Sequence, residues 1–153
     1  MENKFNDILK GKTVIVGIGN ILRLDDAFGP ALIEKLEGKV PAVCIDAGSA
    51  PENYVGVIGR EKPDTVLIVD AVYLGLKPGQ YRILAADELS RAGLTTHDIS
   101  PSMFIEYLKE RTEADIYILG VQPVRVALGE GLSHKMKEAL EEISKLIMET
   151  LNA

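Results

Sequence analysis

The sequence predicts an α/β fold: a three-layer αβα sandwich built on a mostly parallel, twisted sheet with one antiparallel edge strand. Three observations carry this. The stretches at residues 13–18, 65–70 and 116–121 are near-continuous apolar runs rich in Val and Ile, as strands buried on both faces require. Between them lie segments whose apolar residues recur at helical spacing, so strands and helices alternate along the chain. One further stretch, at residues 80–84, alternates polar with apolar and follows a short turn-like connection. A parallel return needs a longer crossover, so this strand is antiparallel.

Taken in order, the first run ends at Gly17 and Gly19, where the backbone can turn sharply or approach another group closely. Phe28, Leu32, Ile33 and Leu36 then mark a helix, with Pro30 tolerated near its start and Gly38 near its end. Residues 40–45 read as a second strand, closed by Asp46-Ala47-Gly48-Ser49, and residues 50–59 as a short helix. The third strand ends on Asp70. Gly75-Leu76-Lys77-Pro78-Gly79 is the turn before the edge strand. Ser100-Pro101 is an N-cap pair for a helix whose apolar face is Phe104, Ile105 and Leu108. The last strand runs into Gln122-Pro123, and a final helix from about Ser133 carries Met136, Leu140, Ile143 and Ile147 on one stripe. No repeat or linker interrupts the pattern, so residues 1–153 read as one domain.

Composition excludes several classes. A net charge of −6 without a run of Lys or Arg argues against a duplex nucleic-acid binder. The single cysteine, Cys44, rules out an internal disulfide and any multi-cysteine metal site. It sits in an apolar segment, which suits a buried structural thiol better than a nucleophile. The polar N-terminus has no apolar signal core and no stretch is long enough to span a bilayer, so a cytoplasmic location without membrane insertion is expected.

Parallel strands bring their carboxyl ends to one rim, where ligands bind in open α/β sheets. Asp26, Asp46, Asp70 and Gln122 therefore share that rim although they are far apart in sequence. The Gly17-x-Gly19-x-x-Leu22 pattern lacks the third glycine of a dinucleotide loop, and no Lys-Ser/Thr pair makes a phosphate loop. The adjacent pair Asp25-Asp26 would also repel a phosphate; helix capping accounts for one of the two more readily than for both. A carboxylate at the mouth of an apolar sheet needs a cation, a metal or a hydrogen-bonding partner, and Asp70 is open to either a structural or a metal role. Of the two histidines, His134 falls on a solvated helix face, whereas His97 lies in a polar loop with Thr95, Thr96 and Asp98. Asp26, Asp70 and His97 together offer two hard oxygens and one imidazole, a set suited to zinc or nickel with coordination positions left open. No His-Glu-x-x-His helix and no Gly-x-Ser-x-Gly elbow is present.

These residues carry a resemblance. Gly17-Ile18-Gly19-Asn20 with Asp25-Asp26-Ala27-Phe28-Gly29, then Asp46-Ala47-Gly48-Ser49-Ala50-Pro51-Glu52-Asn53, Leu67-Ile68-Val69-Asp70-Ala71, Thr95-Thr96-His97-Asp98 and Leu119-Gly120-Val121-Gln122-Pro123 occur in this order. In that combination the chain resembles the endopeptidases that mature the large subunit of [NiFe]-hydrogenases, especially the formate-hydrogenlyase-type branch. The resemblance implies the same sandwich fold. It also implies that Asp26, Asp70 and His97 are the metal-contacting and catalytic residues, and that Asp46, Gly48 and Ser49 lie near the substrate. It implies an aspartic-type, metal-dependent peptide hydrolase whose partner is the large-subunit precursor. The resemblance implies as well that nickel arrives with that substrate and that no organic cofactor is needed. A non-catalytic metal-sensing chaperone or binding module on the same fold is the competing reading, because fold alone does not establish activity. Nucleotide binding ranks third.

Overall fold

The computed structural model describes residues 2–88 and 101–153. Five strands, β1 (Thr13–Ile18), β2 (Val43–Gly48), β3 (Thr65–Ala71), β4 (Tyr81–Ala85) and β5 (Asp115–Val121), form one sheet in the order β2-β1-β3-β5-β4. All neighbours are parallel except β4, which runs antiparallel to β5 at the edge. Helices α1 (Phe28–Leu36), α2 (Val55–Arg60), α3 (Pro101–Arg111) and α4 (His134–Leu151) cover both faces. The predicted sandwich with its antiparallel edge strand is the observed fold.

Strand alternation sorts the core into two layers. Val14, Val16, Val66, Ile68, Ile116 and Ile118 face α2 and α3, meeting Val55, Ile58, Phe104 and Leu108. Ile15, Leu67, Val69, Leu119 and Val121 face α1 and α4, meeting Phe28, Leu32, Leu36, Ile143 and Ile147. Because β1 and β3 are central and covered on both faces, every residue of each is buried. This is why they read as unbroken apolar runs and not as alternating ones.

Three local elements differ from the sequence reading. The second strand begins at Val43, later than expected, and continues through Asp46 to Gly48. Pro41 cannot donate to a ladder, so the chain enters the sheet after it. The first residues hold a 3₁₀ turn, Lys4–Asp7, that hydropathy alone does not announce. It delivers Phe5 into the α4 side of the core, stacked on Tyr81 with ring centroids 6.3 Å apart. Residues 50–59, expected as one helix, form a 3₁₀ turn (Pro51–Tyr54) followed by α2.

Glycines set how closely α1 meets the sheet. A Cβ on Gly29 would lie 2.3 Å from the Ile18 carbonyl oxygen and 2.8 Å from that of Val69. The start of α1 is thus pressed directly onto the carboxyl ends of β1 and β3. Gly29→Ala is expected to cost several kcal/mol, about 3 or more, because backbone on both sides must move. Gly48→Ala meets nothing within 4 Å and carries only the penalty of its φ of +55°, about 1–2 kcal/mol. Urea melts of the two variants test the contrast.

Candidate functional site at the carboxyl rim

The parallel register fixes the rim. Gly17 of β1 lies opposite Asp46 of β2 and Val69 of β3, and Asp70 lies opposite Gly120 of β5. Gln122 follows β5 directly. The four rim residues inferred from the sequence therefore do share one edge of the sheet.

Asp26 reaches it from a 3₁₀ turn, Leu24–Ala27, between β1 and α1. That turn packs against β3, the strand that carries Asp70. The approach is tight: a Cβ at Gly19 would fall 1.9 Å from the Asp26 carbonyl oxygen, and Gly19 has a φ of +150°. Gly17 and Gly19 thus give room to the protein's own helix and turn. No phosphate-binding role is needed to explain them. Asp26 is 0% exposed and its Oδ2 accepts the Asn20 N–H at 2.9 Å. Asp70 is 2% exposed. Two positions beyond Ile68, it falls on the sheet face that carries α3, the helix that follows His97 in sequence. His97 itself lies outside the described residues, as do Thr95, Thr96, Asp98 and Ser100. Among the described residues alone, no group of three His, Cys, Asp or Glu side chains could hold a metal.

The neighbouring Asp25 does something else. It is also buried, and its carboxylate accepts four hydrogen bonds. Oδ2 takes the Val124 N–H at 2.9 Å, the Arg125 N–H at 3.1 Å and the Ser133 hydroxyl at 3.0 Å, and Oδ1 takes the Ser133 N–H at 2.7 Å. Asp25 thereby ties the β1–α1 loop to the segment between β5 and α4. Neither acid caps α1 through its side chain, since Ala27 occupies the N-cap position. Ser133, at the N-cap of α4, spends its hydroxyl on Asp25 and makes no capping bond of its own.

Gln122 is likewise a latch. Its Oε1 accepts the Leu74 N–H at 2.6 Å and so holds the loop that leaves Asp70. Asp46 is exposed and accepts the Gly48 N–H at 3.0 Å, while the Gly48 carbonyl accepts the Gly19 N–H at 2.9 Å. The end of β2, with exposed Ser49 beyond it, is thus stitched to the β1 turn. A groove of about 370 Å³ runs alongside, lined by Asp46, Ile21, Pro30 and Glu34 among others.

His134 stands in solvent, with Nε2 3.5 Å from a Glu138 oxygen on the next turn, as expected for a solvated helix face. Cys44 is half-buried, and burial, with the Glu37 carboxylate adding to it, pushes its thiol up to about 11. At pH 8 only about one thiol in a thousand would be ionised. Alkylation by iodoacetamide at that pH is expected to run about a hundredfold slower than for an ordinary cysteine, and to accelerate up to about pH 11. Mass-spectrometric rates across pH check this.

The fold and rim define an open α/β domain with the buried carboxylates Asp26 and Asp70 at the carboxyl ends of its parallel strands, beside the buried Asp25 that ties two loops together. Comparison with known proteins narrows the class. The sequence model of the family described as HycI, hydrogenase maturation protease, matches residues 30–150. The chain is 37% identical over 133 residues to the hydrogenase 3 maturation protease of Escherichia coli K12, covering 85% of each chain. The crystal structure of a [NiFe] hydrogenase maturation protease HycI from Thermococcus kodakarensis superposes with a TM-score of 0.88 at 37% identity, covering 97% of this chain and 99% of that one. The solution structure of an endopeptidase HycI from Escherichia coli gives a TM-score of 0.75 at 33% identity over 88% of both chains. This chain belongs to the hydrogenase maturation protease family. Among the described residues, no helix is long and apolar enough to cross a membrane.

Proposed function

We propose that the chain is a cytoplasmic endopeptidase that removes the C-terminal extension of a [NiFe]-hydrogenase large-subunit precursor. It does so once nickel has been loaded, with Asp26, Asp70 and His97 reading the substrate's metal. The observation that carries the reading is the pair of buried carboxylates, Asp26 and Asp70, delivered to one rim by two elements that pack together. Burying two carboxylates is costly, and a visiting divalent cation gives the arrangement a use. Two carboxylates and one imidazole suit nickel, and three protein ligands leave positions for the ligands the substrate brings.

Docking on the substrate's nickel would orient the scissile bond, which is where much of the rate gain of a two-body reaction resides. The metal would polarise the peptide carbonyl or a water molecule. Asp26 or Asp70 would accept the proton of the attacking water. Asp46, Gly48 and Ser49 would hold the substrate chain beside the groove that runs along the end of β2. An open site of this kind suits a metal held by another protein better than a permanent structural ion, whose site is closed.

The test is direct. Nickel-loaded precursor incubated with the protein is expected to lose the mass of a short C-terminal peptide, and nickel-free precursor to stay intact. A precursor that binds tightly yet stays full length would favour the chaperone reading. A stoichiometric, chelator-resistant zinc in the dialysed protein would instead make it an autonomous metallohydrolase.

A further inference from the structure

Beside the Asp26 turn, two loops are laced into one rigid surface. The Gly129 N–H donates to the Leu22 carbonyl at 2.8 Å, the Leu24 N–H to the Gly129 carbonyl at 3.0 Å, and the Asp25 N–H to the Arg125 carbonyl at 3.2 Å. An isolated parallel bridge joins Arg23 to Gly129. The four hydrogen bonds to the Asp25 carboxylate lock the same two loops from beneath. Leu24 is held there at a φ of +51°, a conformation that a leucine pays to adopt.

What this well-anchored surface shows to solvent is largely apolar, with two arginines and Glu130 among the apolar side chains. Ile21 is 60% exposed, Leu22 49%, Val124 49% and Leu128 86%. Single exposed hydrophobics are ordinary, but four on two laced loops form a patch of the kind that marks a protein contact. Among them stand half-exposed Arg23 and exposed Arg125, neither of which makes an ion pair with any described residue. Arg23 and Arg125 are the only cations in residues 20–30 and 123–131, where Asp25 and Asp26 are buried and Glu130 is the one exposed acid.

We infer that Ile21, Leu22, Arg23, Val124, Arg125 and Leu128 form the docking surface for the folded body of the protein substrate, at an apolar patch edged with carboxylates beside the scissile segment. The inference rests on the proposed function for the identity of that substrate. The occupant follows from continuity and charge. Asp26, in the same loop as Arg23, belongs to the candidate site, so whatever presents a peptide bond to Asp26 must cover these loops. Guanidinium forks select carboxylates through paired hydrogen bonds and tolerate desolvation better than ammonium groups. A surface already rigid loses little entropy when it is covered.

The experiment measures binding of the nickel-loaded large-subunit precursor by interferometry, together with KM and kcat for its processing. The double variant Arg23→Glu/Arg125→Glu and the single variant Leu128→Asp are compared with the wild-type protein, each first shown by its melting curve to be folded. Lys62→Glu, the same kind of charge reversal at the opposite end of β3, is the control. Expected is a rise in Kd and KM of about tenfold or more for both rim variants, as for loss of central arginine or apolar anchors. Wild-type binding should also weaken with salt, and the double variant should lose that dependence. Unchanged Kd in the folded rim variants, an equal effect from Lys62→Glu, or a wild-type protein that does not bind the precursor would each overturn the inference. Binding that behaves as expected while Asp70→Asn still processes the precursor would leave the docking surface standing and sink the catalytic assignment alone.

Discussion

Replacing Asp70 by Asn is expected to abolish processing of the precursor while leaving the protein folded. The side chain is 2% exposed at the end of a fully buried central strand, so an isosteric change keeps the packing of β3 between β1 and β5. A neutral amide is also cheaper to bury than a carboxylate, which offsets part of any hydrogen bond lost. The melting temperature should therefore move by no more than about 2–4 °C, the equivalent of about 1 kcal/mol in a domain of this size. Activity should behave differently. An amide oxygen is a far poorer ligand for a divalent cation than a carboxylate, and it cannot take a proton from water. The expected loss in kcat is about a thousandfold or more, by comparison with removal of a single electrostatic contributor at other active sites. Single-turnover cleavage of nickel-loaded precursor by the variant measures it. Wild-type rates from Asp70→Asn would remove this residue from the mechanism; a collapse of the melting temperature would make its role structural.

How much of this was legible in the chain depends on the length scale of the cause. The buried parallel strands were, because two covered faces impose an unbroken apolar run. The edge strand was legible from its short connection, but not from one solvated face, since Leu84 joins one core layer while Tyr81 and Ile83 pack against the other. The rim followed from those two readings, and with it the common location of Asp26, Asp46, Asp70 and Gln122. The start of β2 is hidden by apolar character that continues through residues 40–42, where Pro41 forbids a ladder bond. Phe5 leaves no signal because one aromatic in a polar N-terminal stretch has no period, and its partner Tyr81 is remote in sequence. Strand order was not readable at all: periodicity says that a strand is buried, not which neighbour buries it. The same limit applied within the site. Asp25 and Asp26 are adjacent and identical in type, and nothing local separates one that reaches across to Ser133 from one that turns toward Asn20.

That separation is the second large effect. Asp25→Ala is expected to destabilise the fold by about 3–5 kcal/mol, in the range seen when a buried charge network loses a member. Four donors converge on this carboxylate, and each one left buried without an acceptor costs about 1–3 kcal/mol. The sum is moderated because Val124 and Arg125 are exposed, so water can reach their N–H groups once the loop loosens. Asp25→Asn should recover only part of the loss. Its amide has one acceptor oxygen where the carboxylate uses both, and its NH₂ would face N–H donors. Asp26→Asn, by contrast, can still present an oxygen to the Asn20 N–H, and should melt close to the wild-type temperature while losing activity. Urea unfolding and precursor cleavage measured on both sets of variants decide between the roles. The assignment requires a lowered unfolding midpoint for Asp25→Ala and a near-normal one for Asp26→Asn. The reverse pattern would exchange them: Asp25 would belong to the chemistry, and the laced loops would hold without it.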